Sequence, residues 1–421
     1  MSRIVVTTLG TLGDLHPMLA IALELRQRGH DVVFVTHQVY QSRIEALGFE
    51  FRQMRPDFTA INDPQEMARM MDCKTGQEYM VRQWANPSLY EMYTDLLNVA
   101  KGADFIFSGE GVIATPLVAE KLGMRWASSA MVPLSFFSVY DPPVLAPFPA
   151  LATLYPLGPI VNRGIINLAK RVSHAWADPI RQLRHELRLS PIQGNPLIEN
   201  RFSPYLVVAL FSSVLGQPQP DWAANTVVAG FTFYDGTQGG AELTPELTQF
   251  LDTGDPPIVF TLGSAAVLDA GNFYQESIQA AKQLNRRAVL LIGNNPPVET
   301  RSADMLAVNY APYSQVFPRA CAIVHQGGIG TTAQALRAGR PTLIMPYSHD
   351  QPDNAARVRR LGTSRTIHRK HYSAARVAKE LSELLGNPRY AAKAAAIGRI
   401  VQTEDGVGVA CDAIEKQLIS I

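Results

Sequence analysis

Residues 322–354 read AIVHQGGIGTTAQALRAGRPTLIMPYSHDQPDN, and their punctuation decides the fold. Ala322-Ile323-Val324 is a short apolar run of the kind that ends a buried strand. His325, Gly327, Gly328 and Gly330 follow it directly. Thr331–Ala338 has helical composition and is stopped by Gly339 and Pro341, and Thr342–Met345 is a second apolar run closed by Pro346. Strand, glycine turn, helix and strand in this order form the repeating unit of a parallel α/β sheet.

Such a turn suits an anion. The first N–H groups of a helix have no partner within it, and the aligned peptide dipoles make that end positive. Glycines remove the Cβ atoms that would hold a phosphate away. His325 adds a donor at the strand end, and Thr331 and Thr332 add hydroxyls. Tight strand–helix packing also uses glycine, but it needs neither the histidine nor so many glycines. The same stretch contains Gly328-Ile329-Gly330-Thr331-Thr332-Ala333, which fits G-x-G-x-x-G/A, with Asp350 about 20 residues on. A NAD(P)- or flavin-dependent oxidoreductase is therefore a rival reading. Against it, Asp350 comes four residues after Pro346 rather than at a strand end, and a whole α/β half precedes the motif.

HQGGIGTTAQALRAGRPTLIMPYSHDQPDNAAR resembles the C-terminal nucleotide-sugar signature of GT-B glycosyltransferases, in the bacterial branch that includes antibiotic, sterol and rhamnolipid glycosyltransferases. The likeness extends to the N-terminus. It implies an α/β fold of two Rossmann-like domains facing a central cleft, with a C-terminal helix crossing back to the first domain. On this reading residues 1–215 bind acceptor, 216–245 link, 246–400 bind the nucleotide sugar and 401–421 return.

Composition agrees with an ordinary globular protein. A chain of 421 residues suits two domains. The balance of 38 basic and 37 acidic residues leaves no electrostatic footprint for nucleic acid. Cys73, Cys321 and Cys411 are widely spaced, without metal-type pairing, which suits a reducing, cytoplasmic setting. MSRIVVTTLG goes straight into a strand without a signal-like segment. No D-x-D triplet occurs, so neither a metal nor a cofactor is expected beside the donor substrate.

Arg3–Leu9 and Val32–Thr36 read as strands, and the intervening helix is expected to begin at Pro17 and end at Gly29. Asp14 lies in the loop before it, where a helix cap or turn is the ordinary use of an aspartate. The resemblance gives Gly13-Asp14-Leu15-His16-Pro17 another meaning. The family's catalytic base follows this glycine, His in plant members and Asp in several bacterial ones. Asp14 is thus the expected base and His16 the fallback. Where histidine-type enzymes place a second aspartate, this chain has Ser108-Gly109-Glu110, and a carboxylate base needs no orienting partner.

Residues 142–162 contain no charged side chain but six prolines, which excludes a spanning helix. Their apolar residues read as core, as the wall of a pocket, or as a surface lying against a membrane. With Met131, Phe136 and Phe137 upstream, Phe148 and its neighbours are expected to wall a site for a large lipophilic acceptor.

In the C-terminal half, Gly263-Ser264 follows the strand Ile258–Leu262, and the resemblance adds its donors to the diphosphate. Asn309-Tyr310-Ala311-Pro312-Tyr313 sits where plant relatives place the nucleobase, and Tyr310 or Tyr313 is expected to stack on it, worth about 1–3 kcal/mol by analogy with nucleic-acid stacking. Gln334 stands where the family's ribose-binding Glu is found, which makes a dTDP-sugar a candidate beside a UDP-sugar. Asp350 and Gln351 follow a strand end and offer the hydrogen bonding that sugar hydroxyls need. The expected activity is inverting, metal-independent transfer of a sugar to a hydroxyl of a lipophilic small molecule. A nucleotide-sugar epimerase and a non-catalytic sugar-nucleotide binder are the other readings.

Overall fold

The computed structural model describes residues 1–57, 63–234, 242–298 and 303–419. Among them, thirteen strands build two sheets. The first contains β1 (Arg3–Thr7), β2 (Asp31–Thr36), β3 (Glu50–Gln53), β4 (Phe105–Ser108), β5 (Trp126–Ala130), β6 (Leu206–Ala209) and β7 (Thr226–Val228), in the order 3-2-1-4-5-6-7. The second contains β8 (Ile258–Thr261), β9 (Ala288–Leu291), β10 (Met305–Val308), β11 (Ala322–His325), β12 (Thr342–Ile344) and β13 (Ser364–Thr366), in the order 10-9-8-11-12-13. Every pairing is parallel. β4, β8, β9 and β11 are buried along their whole length, as helix-covered parallel strands must be. Strand order reverses between β1 and β4 and between β8 and β11, so each sheet opens a crevice at the carboxyl ends of those strands.

Helix α1 (Leu12–Gln27) starts earlier than its proline suggested, and Pro17 lies inside it. Thr11 and Asp14 explain the difference. They form a reciprocal capping box that satisfies the first-turn N–H groups and sets the start at Leu12. The helix Gly406–Ile419 packs on α1, burying Ala410, Cys411 and Ile414 in the same core as Ile4, Val6 and Leu19, while Arg28 pairs with Asp412 and Glu415.

Two segments depart from the expected boundaries. The first sheet continues beyond residue 215, because β7 pairs with β6. Three residues flanked by glycine- and proline-rich chain give too short an apolar run to read as a strand. Residues 64–79 lie within the first half of the chain, yet Met67, Met70 and Met71 pack into the core of the second domain with Val267, Ala270 and Phe273. His349, at φ +54°, clasps this segment through Met70 O (2.8 Å) and Gln77 Oε1 (3.1 Å).

Candidate active site

The second domain's crevice is built from two turns facing one another. At the end of β11, the Gly327 N–H donates to His325 Nδ1 (3.1 Å). That fixes the neutral tautomer with its proton on Nε2. Burial pushes the His325 imidazole down to about 3, so it stays uncharged. His325 Nε2, Gln326 Oε1 and Thr332 Oγ1 are buried and have no hydrogen-bond partner among the described residues. His325 and Gln326 lie on the turn that leads into the helix Ile329–Arg337, and Thr332 lies in its first turn, where the first N–H groups are free of intrahelical bonds. Opposite, after β8, Gly263 has φ +66°, and a Cβ there would lie 2.2 Å from Gln326 Nε2. Gln326 thus fills the gap between the two turns. No local pattern signals this role, since it depends on β8 and β11 being neighbours.

Asp350 and Gln351 stand at the start of the helix Gln351–Arg360. Asn354 Nδ2 donates to Asp350 Oδ2 (2.6 Å) and to Gly327 O (2.9 Å), so one amide braces both the turn and the carboxylate. Burial raises the Asp350 carboxyl to about 7; the Asn354 bond opposes this and the Asp14 charge adds to it. Gln351 is buried, its Oε1 accepting from the Tyr347 N–H (2.8 Å). Asp350 does not occupy the place a ribose-binding carboxylate takes in a dinucleotide fold, since β12 ends at Ile344. Tyr310 is 65% exposed, whereas the Tyr313 ring lies 4.4 Å from Phe317 at 13° and its hydroxyl bonds Thr261 Oγ1 (2.8 Å). Tyr310 therefore has the more open ring of the two. Pro312 caps the short turn Tyr313–Val316; Ser264 lies in the turn Gly263–Ala266, and Gln334 is half-buried one helical turn after Gly330.

Across the cleft, Asp14 Oδ2 accepts from the Thr11 N–H (2.9 Å). Gly10, at φ +133°, makes room: a Cβ there would sit 2.3 Å from Asp14 Oδ2. The loop is held further by His37, whose Nε2 accepts from the Gly10 N–H (3.1 Å) while its Nδ1 donates to Pro56 O (2.7 Å). Burial lowers His37 to about 4 and keeps it neutral. This histidine was not foreseen, because the contact links residues 27 positions apart. Burial raises the Asp14 carboxyl to about 6 against the bonds from Thr11. His16 Nε2 lies 3.1 Å from Arg43 Nη1, and its ring packs on Tyr234. Glu110 turns away from the site to bind Ser135 Oγ (2.7 Å), the Met131 N–H (2.5 Å) and Arg201. The two halves meet where a Cβ built on Gly330 would lie 3.9 Å from Gly13 Cα.

The four expected acceptor residues do not form one wall. Phe136 stacks on Trp222 (3.9 Å, 9°) and, with Phe137, lines a cavity of about 980 Å³ whose lining includes neither Asp14 nor His16. Met131 is buried in the core beneath α1, and Phe148 is 60% exposed. The tight turn Pro133–Phe136 sends Phe136 inward, while the proline-rich chain after it carries Phe148 out to the surface.

Residues 4–119 match the glycosyltransferase family 28 N-terminal domain, and residues 276–403 match the erythromycin biosynthesis protein CIII-like C-terminal domain. The O-mycaminosyltylonolide 6-deoxyallosyltransferase of Streptomyces fradiae is 31% identical over 98% of this chain and 97% of its own. This chain belongs to the GT-B glycosyltransferases. A sterol 3-beta-glucosyltransferase of Yarrowia lipolytica is 26% identical over 98% of this glycosyltransferase, which spans 28% of that longer relative. The Streptomyces sp. SF2575 glycosyltransferase SsfS6, solved with thymidine diphosphate, superposes with a TM-score of 0.64 at 17% identity, covering 99% of this chain and all of the other.

Proposed function

We propose that this glycosyltransferase moves a sugar from a dTDP- or UDP-sugar to a hydroxyl of a lipophilic small molecule, with inversion and without a metal. The observation that carries the donor half is the buried His325 Nε2–H, without a partner among the described residues, on the turn that leads to Thr332 and the open helix N-terminus. An imidazole N–H, a hydroxyl and open helix N–H groups on one turn are the kinds of donor that a leaving diphosphate requires. Asp14 removes the acceptor's hydroxyl proton, and the oxygen attacks the anomeric carbon as the carbon–diphosphate bond breaks. The electron pair departs with the diphosphate, whose growing charge meets neutral donors and the positive helix end rather than a cation. Tyr310 supports the base, Gln334 faces the pentose, and Asp350 with Gln351 positions the sugar. The natural-product and sterol relatives support a lipophilic acceptor.

Thermal shifts with UDP, dTDP, GDP, NAD and NADPH at equal concentration test the reading. A ligand at a hundredfold its Kd stabilises the fold by about 2.7 kcal/mol. UDP or dTDP is expected to raise Tm in the presence of EDTA; a shift with NAD or NADPH alone overturns the reading.

A further inference from the structure

The helix Pro159–Val172 has three sectors. Asn162 and Ile166 face the protein and are buried. Ile160, Leu168 and Val172 are 85%, 57% and 61% exposed, and the exposed Gly164 completes their four-residue spacing, so they form a single outward apolar stripe. Arg163 and Arg171, eight residues apart, are both exposed along one margin of that stripe. The preceding segment also exposes apolar side chains, Phe148 (60%) and Leu157 (67%). From Pro142 to Ala177 the chain carries Arg163, Lys170 and Arg171 and no aspartate or glutamate.

These side chains project from a braced platform. Asn162 Nδ2 donates to Val139 O (3.0 Å), the Tyr155 hydroxyl to Pro143 O (2.5 Å) and the Val144 N–H to Asp353 Oδ1 (2.9 Å). The helix has 14 residues, too few to cross a bilayer. An apolar stripe bordered by cations on a short helix is the arrangement of an in-plane interfacial helix. We propose that this face docks on an anionic lipid surface, with the stripe at the headgroup–acyl boundary and Arg163 and Arg171 on phosphates. Charge complementarity selects this occupant: an uncharged apolar partner would leave the two arginines unmatched. Docking needs neither donor nor acceptor, so it stands apart from the transfer reading.

The test is cosedimentation of the full chain with vesicles of phosphatidylcholine alone or mixed with phosphatidylglycerol. Binding is expected to the mixed vesicles and to weaken with salt. Leu168→Ser is expected to lower the partition coefficient about tenfold, and Arg171→Gln about fivefold. Both variants should keep the wild-type Tm and wild-type transfer to a water-soluble acceptor, since both side chains are exposed and outside the cleft. Wild-type protein left in the supernatant with both vesicle types overturns the proposal. So does Leu168→Ser binding as well as wild type, or a solution dimer that Leu168→Ser splits, which would assign the face to a second copy.

Discussion

The carboxylate of Asp14 closes the first turn of α1 and also stands where the two domains meet. The capping and catalytic uses are compatible, because the Thr11 N–H leaves a carboxylate lone pairs to spare. Burial raises this group to about 6, closer to neutrality than a solvated aspartate and so better matched to accepting a proton at pH 7. His16 is less suited, since its Nε2 lone pair faces the Arg43 guanidinium. Asp14→Asn keeps an oxygen that accepts from Thr11, so the helix start should survive. The expected result is a kcat lower by about 10²–10⁴ with nucleotide affinity retained, read by steady-state kinetics and calorimetry. Activity of the parent enzyme should fall as pH drops through about 6, where the carboxyl takes up a proton. The stability sign is the opposite. A raised folded pKa favours the fold below the unfolded carboxylate's range, and that contribution is lost as pH rises through about 6. An Asp14→Asn enzyme with undiminished kcat, or an unchanged acid limb, removes Asp14 as base.

At the scale of elements, the donor site depends on two turns after adjacent strands, and Gly263 shows how tightly they interlock. Its φ of +66° would cost a residue with a Cβ about 1–2 kcal/mol. The added methyl would also displace the Gln326 amide. Gly263→Ala is therefore expected to lower stability by at least that strain and to raise donor KM. Adding Gln326→Ala should relieve the steric part while leaving the backbone strain, as urea titrations of the single and double variants would show. Equal stability of Gly263→Ala and the parent would mean the turn is not held as described. The glycine turn after β11 was legible because strand, glycines and helix are consecutive in sequence. Gln326 and His37 were not, because their partners come from other strands. Pro17 marks a helix start in sequence, whereas the start at Leu12 is set by the Thr11–Asp14 capping box. The aromatic residues of the 131–148 region share a composition that says nothing about the directions in which a turn sends them.

Across the whole molecule, contacts tie the two domains to one another, and one of them is made by the largest fully buried side chain among the described residues. Arg357, on the helix that begins at Gln351, is 1% exposed and pairs with Asp353 (2.6 Å) and with Asp141 of the first half, while donating to Leu215 O (3.0 Å). Asp353 in turn accepts the Val144 N–H. One guanidinium therefore fastens the segment before the proline-rich stretch to the helix bearing Asp350. Arg357→Ala leaves Asp353 buried without its counter-charge, and losing one partner of a buried pair costs about 3–5 kcal/mol. Burial already raises the Asp353 carboxyl, against the Arg357 charge. Without that charge its folded pKa rises further, so the native state gains a proton at mildly acidic pH that the unfolded chain does not hold. The destabilisation should consequently be smaller at pH 5 than at pH 8, the direction opposite to an ordinary paired carboxylate. Arg357→Met combined with Asp353→Leu removes both charges and is expected to recover much of the loss. Urea denaturation of the parent and both variants at the two pH values measures this. A loss for Arg357→Ala that is independent of pH would mean Asp353 finds another partner, and that the two domains are not fastened through this arginine.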